Sequence, residues 1–369
     1  MKEFNQMDIL TFFLGILVGY FIEKILDSLI ARVKLSTKKR KWKKAEQIWE
    51  KYQSLSFGLI VIQAGWKAGE FSEEQVVVTI DNSYKIPKDI AENLYNSHKG
   101  KWESADLNDN EQYGIAEIDP HRVSDEITTK SDSHQLRIKG HTYRYFEFLA
   151  TNRLFRSGTK EEQEFLNEII GKPHYLEPVS SFPNPLSVGL SLFCENGNSL
   201  VLTRRTIIAS SGGLWAGNTI FNAVGENMIP YDTYGNNFQG STRLSPWITA
   251  KRGLHEEMGI VFSDKTMSMV LHSFVWDSRI LDYKFFGYVI NSFSRADIRK
   301  MWINAPDRNE NSELIFFDCS TDKQVVELVE ELIHNKSKWA SECILCTVLS
   351  LFHLDKITPL KIEKIINES

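Results

Sequence analysis

The chain has 369 residues, 42% of them apolar and 25% charged, with a formal net charge of −5. Those fractions are ordinary for a folded protein and exclude wholesale disorder, and the length allows about two domains on a prior of roughly 150 residues each. The charge is polarised: Arg32, Lys34, Lys38, Lys39, Arg40, Lys41, Lys43 and Lys44 share one acid-free stretch, which leaves the rest of the chain acidic. A uniformly basic surface for DNA or RNA is therefore not indicated.

Ile9 to Ile22 carries no charge. A run of that length is short for a bilayer, which takes about 20 apolar residues, but Ile25, Leu26, Leu29 and Ile30 extend it. A cleaved signal, a core helix and a surface-lying amphipathic helix are the other readings. Glu3 and Asp8 offset Lys2 and no small-residue cleavage site follows, which argues against a signal. The run also has almost no polar stripe, which argues against a core helix. The cations that follow favour a single-pass span over 1–31, because Lys and Arg beside a span stay on the cytoplasmic side. The expectation is an inner-membrane protein with its carboxyl portion in the cytoplasm. Residues 32–53 then read as a basic juxtamembrane helix that meets anionic lipid. Gly15 and Gly19 form a small-xxx-small pair, a candidate for self-association in lipid and hence for a homo-oligomer.

From 54 to 140 the texture is β-rich. Gly58 to Ile62 and Val76 to Ile80 are β-branched runs bounded by turn formers, and Leu94 to Lys139 reads as loops around short strands. Tyr143, Tyr145, Phe146 and Phe148 could stack on a base, though aromatics at this density more often fill a core. Glu161 to Ile170 reads as a helix, and Leu186–Phe193 and Ser199–Thr203 as strands joined through Asn196-Gly197, a strong hairpin signal. Cys343 and Cys346 have the spacing of half a zinc site but lie in an apolar run with no partner pair, so they read as buried helix residues. Sparse cysteine suits a reducing compartment.

The chemistry is concentrated in 245–262. Pro246 opens a helix with Ser245 placed to cap it, Gly259 stops it, and Ile260 to Phe262 read as the next strand. Arg252 to Ile260 reads R-G-L-H-E-E-M-G-I. This resembles the second half of the Nudix box, R-E-U-x-E-E-x-G-U with U aliphatic, and departs from it only at Gly253. The resemblance extends over roughly 141–355. It implies an α/β domain, an α+β Nudix-like sandwich over 141–369, following the β-rich module of 54–140 and the N-terminal transmembrane helix. It also implies Mg²⁺-dependent hydrolysis of a diphosphate, with Glu256 and Glu257 as catalytic and metal-binding residues and Arg252 orienting the glutamates. Arg252 and Glu226 are the candidates for contact with a nucleotide.

Gly253 removes one of the family's three carboxylates, and Glu226 or Asp232 are the candidates to replace it; Glu313 is a weaker candidate from a later loop. The bland alternative for Glu256 and Glu257 is a solvated helix face. The combination of anchor, basic stretch and divergent box resembles the transmembrane-Nudix effectors of bacterial cyclic-oligonucleotide antiviral systems (CBASS). That resemblance implies a sensor of a cyclic nucleotide acting at the membrane. A membrane-tethered hydrolase of nucleoside diphosphate-linked compounds and a non-catalytic scaffold are the alternatives.

Overall fold

A computed structural model describes residues 58–64, 70–105, 107–120, 136–206, 219–233 and 243–368. The span expected over 1–31, its Gly15/Gly19 pair and the helix expected over 32–53 lie outside these residues. Among the described residues no helix is long and apolar enough to cross a membrane.

The architecture is mixed α+β, built on a larger sheet in the order β1 (Leu59–Ala64), β10 (Met267–Asp277), β11 (Asp282–Asn291), β5 (Leu186–Cys194), β6 (Ser199–Arg205) and β12 (Asn311–Asp318). Strand β5 is buried at every position, as a strand covered on both faces should be. It runs parallel to β11 and antiparallel to β6, the latter through the expected turn, where Asn196 (φ 57°) and Gly197 (φ 89°) take the left-handed conformation. Halfway along, β5 changes partner. Leu192 to Cys194 pair with β6, while Ser187 to Leu190 pair with β8 (Val224–Asn227). Strand β7 (Ile220–Asn222) continues instead along β6. The sheet therefore forks between β6/β7 and β8.

One face of this sheet packs on α4 (Pro246–Met258), where Val188, Leu190 and Leu192 meet Trp247, Ala250, Leu254 and Met258. The other packs on α6 (Asp322–His334), α7 (Ser341–His353) and α8 (Pro359–Asn367), with Phe193, Leu202 and Phe286 against Leu328, Ile344 and Ile362. Burying each such side chain is worth about 1.5–3 kcal/mol before chain entropy is charged against it. Cys343 and Cys346 are buried in α7, and the Cys346 thiol reaches the Gly189 and Gly287 carbonyls at 3.4 Å. Both pairings require α7 to approach the sheet closely.

A smaller sheet, in the order β3 (Glu111–Pro120), β4 (Leu136–Arg144), β2 (Val76–Ser83) and β9 (Arg243–Leu244), joins the α4 side of the core. The described residues of 54–140 thus join both sheets. Strand β1 edges the larger one (Leu59 opposite Asp277), and the expected 140/141 boundary falls inside β4. The strongly aromatic stretch continues from β4 into a helix over 145–157, α2, which precedes α3 (Lys160–Ile170); Tyr143 and Phe146 are each 2% exposed, as core residues.

Two local expectations need correction. A helix, α1, spans 88–104 and so occupies the start of the stretch expected as loops from Leu94: Ile90 and Leu94 are its buried anchors, and a long polar face hides the pattern. Ile260 to Phe262 are not a strand, since β10 begins only at Met267; Ile260 turns into the core while Val261 is 73% exposed.

Candidate active site

Helix α4 forms where its local signals place it. The Ser245 hydroxyl accepts the Ile248 N–H at 3.4 Å, Pro246 occupies the first turn, and Gly259 closes the helix at φ 66°. Gly259 has a second role. A Cβ there would lie 2.4 Å from the Met301 carbonyl oxygen, so only glycine lets the end of α5 (Arg295–Ile303) pack on the α4 terminus. That contact sends the following loop back across α4, where the Asp307 N–H donates to the Glu256 carbonyl at 2.9 Å.

Residues 253, 256 and 257 share one helix face. Gly253 is buried against β8, and a Cβ on it would lie 2.4 Å from Cγ of Glu226 and 2.8 Å from Cγ1 of Val224. Glu226 therefore crosses directly over the bare helix backbone. Carboxylate oxygens of Glu226, Glu256 and Asp307 lie within 4.8 Å of one another, each in a half-buried side chain. Of the residues considered as replacements for the lost carboxylate, Glu226 supplies one in place.

Arg252 holds this group together. Its guanidinium donates to Glu226 at 2.9 Å, to Glu256 at 2.5 Å, to both oxygens of Asp232 at 2.9 and 3.1 Å, and to the Asn227 carbonyl at 2.7 Å. Asp232 is fully buried and also accepts the Ile229 N–H, so it anchors Arg252 from the side away from the cluster. Burial by itself would lower the Arg252 pKa, but the surrounding carboxylates outweigh it and raise it.

Glu257 takes a different place. It is 1% exposed and accepts the Gly225 N–H through Oε1 at 2.8 Å. Its Oε2 has no hydrogen-bond donor, the nearest cation being the Arg205 guanidinium at 3.9 Å. Burial pushes the Glu257 carboxyl up to about 8, with Arg205 opposing and Glu226 adding to the shift. Glu226 rises to about 7 from burial, opposed by Arg252 and reinforced by Glu256. Asp307 is also raised, by burial and by Glu310 and Glu256. Glu257 is thus no part of a solvated helix face; it lies beneath the cluster. Glu313 is at the sheet edge in an exposed pair with Arg204 at 3.0 Å, apart from the cluster.

Oxygen donors crowded at this spacing suit a hard cation such as Mg²⁺. The undonated buried oxygen of Glu257 and the clearance at Gly253 make the residues fit one, with Glu226, Glu256 and Asp307 to hold it.

Several participants escape sequence reasoning. Asp307 carries no motif and arrives only through the α5 contact. Arg205, at the end of β6, bonds Glu310 and places its guanidinium over the Phe221 ring at 5.6 Å from the centroid. A cavity of ≈ 50 Å³ opens beside it in the fork of the sheet, lined by Arg205, Asn222, Asn227, Lys284 and Glu342 among others.

No family model and no curated protein matches the chain. Among solved structures it is similar to a MutT/nudix family protein from Enterococcus faecalis, at 14% identity over 58% of this chain and 91% of that one, with a TM-score of 0.23. A likeness of that size carries no functional argument, so the site stands on its own geometry.

Proposed function

We propose that the chain is a Nudix-like, Mg²⁺-dependent hydrolase of nucleoside diphosphate-linked compounds, tethered to the inner membrane by its amino terminus. One observation carries this reading: Glu226 fills the space left by Gly253, so that its carboxylate joins those of Glu256 and Asp307. An altered box would otherwise read as a ruined one. Bound there, Mg²⁺ would supply Lewis-acid polarisation of the phosphoryl oxygens. Arg252 fixes the directions of Glu226 and Glu256, and Asp232 fixes Arg252. Glu257, held on the Gly225 N–H with its other oxygen undonated, is the group beside the cluster that would take a proton from water once the charge of a bound Mg²⁺ lowers its raised pKa. The test is release of nucleotide or phosphate from a panel of nucleoside diphosphate-linked compounds with Mg²⁺. Loss of turnover in both Glu226→Gln and Glu256→Gln supports the reading; an active Glu226→Gln chain contradicts it.

A second reading is favoured by the uncharged run Ile9 to Ile22 and the cations that follow it. Here the domain is the sensor of a CBASS-type effector, in which a cyclic nucleotide occupies the same cleft and self-association through Gly15 and Gly19 acts on the membrane. Titration of the chain with cyclic di- and trinucleotides separates the two. Saturable binding without turnover supports the sensor, and no binding to any of them removes it.

A further inference from the structure

Strand β12 breaks strict alternation at its start. Leu314 packs in the core on the α4 side, so regular alternation would turn Asn311, three residues earlier, to the other face. The register with β6 instead shifts between Asn311 and Glu313, and Asn311 stands opposite Arg205 as Leu314 stands opposite Thr203. Bulges re-aim side chains in this way, and directly opposed residues point to the same face of a sheet. Asn311 therefore enters the core on the face covered by α4, beside the residue whose guanidinium lies 3.9 Å from Glu257.

That placement is unfavourable taken alone. Asn311 is 0% exposed, and neither its amide nitrogen nor its amide oxygen has a hydrogen-bond partner among the described residues. An aliphatic side chain of the same size would avoid the penalty of desolvating an unbonded amide. The backbone around it is held firmly: the Arg308 guanidinium donates to the Asn311 carbonyl, and the Thr206 N–H donates to the Glu310 carbonyl at 2.9 Å.

Glu257 presents the matching need from α4. Its Oε1 is fixed on the Gly225 N–H, whereas its Oε2 is buried with no donor. Arg205 does not close that gap, because its guanidinium bonds Glu310 and stays beyond hydrogen-bond reach of Oε2. A water meets both requirements: it accepts from an amide N–H, donates to a carboxylate oxygen, and is small enough to be enclosed.

We propose that Asn311 is a positioning residue, which holds a buried water against Oε2 of Glu257 and so fixes the direction of that carboxylate. A carboxylate oxygen accepts two hydrogen bonds, so the held water leaves one direction of Oε2 open toward the water that gives up its proton. The inference rests on the hydrolase reading and adds to it a residue that touches neither metal nor substrate.

The experiment is nuclear magnetic resonance of the detergent-solubilised 369-residue chain, isotope-labelled at asparagine. The Asn311 side-chain NH₂ signals are assigned by their loss in Asn311→Asp and, independently, in Asn311→Leu. The expected result is a rotating-frame cross-peak from this NH₂ to a long-lived water, with the NH₂ signals displaced in Glu257→Gln. No water cross-peak, or signals unmoved by Glu257→Gln, overturns the inference. Turnover of the nucleoside diphosphate-linked panel gives a second readout: kcat should fall roughly tenfold or more in Asn311→Leu with KM unchanged. An unchanged kcat in that variant removes the positioning role. Mn²⁺ binding, followed by electron paramagnetic resonance, reads the carboxylate cluster separately. Mn²⁺ bound without the water contact keeps the hydrolase reading and overturns this inference. A parent chain with the water contact but neither Mn²⁺ binding nor turnover overturns the hydrolase reading, and the positioning role with it.

Discussion

Cγ of Glu226 stands 2.4 Å from the point that a Cβ on residue 253 would occupy. The two positions are mutually exclusive for side chains: a glutamate arising from the helix and one arriving from β8 cannot share that space. The carboxylate that lies over residue 253 therefore comes from β8 and not from α4.

Gly253→Ala should therefore destabilise the protein. In an open helix the change would gain about 1 kcal/mol. Here the methyl group meets Glu226 and Val224, and overpacking of that kind costs about 1–3 kcal/mol. Urea denaturation measures the balance, with a net loss and a weakened Mn²⁺ affinity expected. A variant more stable than the parent would mean that Glu226 does not occupy the gap.

Arg252→Met removes the cation shared by Glu226, Asp232 and Glu256. Leaving a buried carboxylate such as Asp232 without its partner costs about 3–5 kcal/mol. Thermal unfolding should show a large drop. Arg252→Lys recovers only part of it, because an ammonium cannot reproduce the forked contacts to Asp232. Equal stability of Arg252→Lys and the parent would refute that role.

Metal-free stability should depend on pH through Glu257. Its folded pKa is raised from 4.5 to about 8, so the folded state binds this proton more tightly than the unfolded state does. The stabilisation it contributes is complete below about pH 4.5 and is lost as pH rises toward 8. Denaturation midpoints of the chelator-treated protein should fall across that window, and Glu257→Gln should flatten the fall. A midpoint that rises from pH 5 to 8 in the parent and not in Glu257→Gln would reverse the assignment.

The close pairing of β10 with β11 gives a check outside the carboxylate cluster. A Cβ on Gly287 would lie 2.2 Å from the Val270 carbonyl oxygen, inside the β10–β11 pair. Gly287→Ala should lower stability by about 1–3 kcal/mol, read by the same denaturation, while leaving Mn²⁺ affinity in the folded protein unchanged. Loss of Mn²⁺ affinity in the folded variant would tie the metal site to this strand pair instead.

What could be read from the sequence was local. Ser245, Pro246 and Gly259 delimit α4 through backbone capping, and Asn196-Gly197 sets the β5–β6 turn, because these effects act within a few residues. What could not be read depends on distance. Nothing near Leu59 announces that it pairs with Asp277, and nothing near Asp307 announces Glu256. The helix over 88–104 was obscured because Ile90 and Leu94 are its main buried anchors in a polar stretch. Glu226 was visible as a candidate beside Gly225, but choosing it over Asp232 required the packing of β8 against α4.

The most direct measurement is Mn²⁺ or Mg²⁺ affinity and hydrolysis in the exchanged pair Gly253→Glu with Glu226→Gly, set beside each single change. If Glu226 supplies the carboxylate that residue 253 lacks, each single variant loses metal affinity at least tenfold and the double variant regains most of it. Wild-type affinity in Glu226→Gly, or no recovery in a folded double variant, would contradict the account.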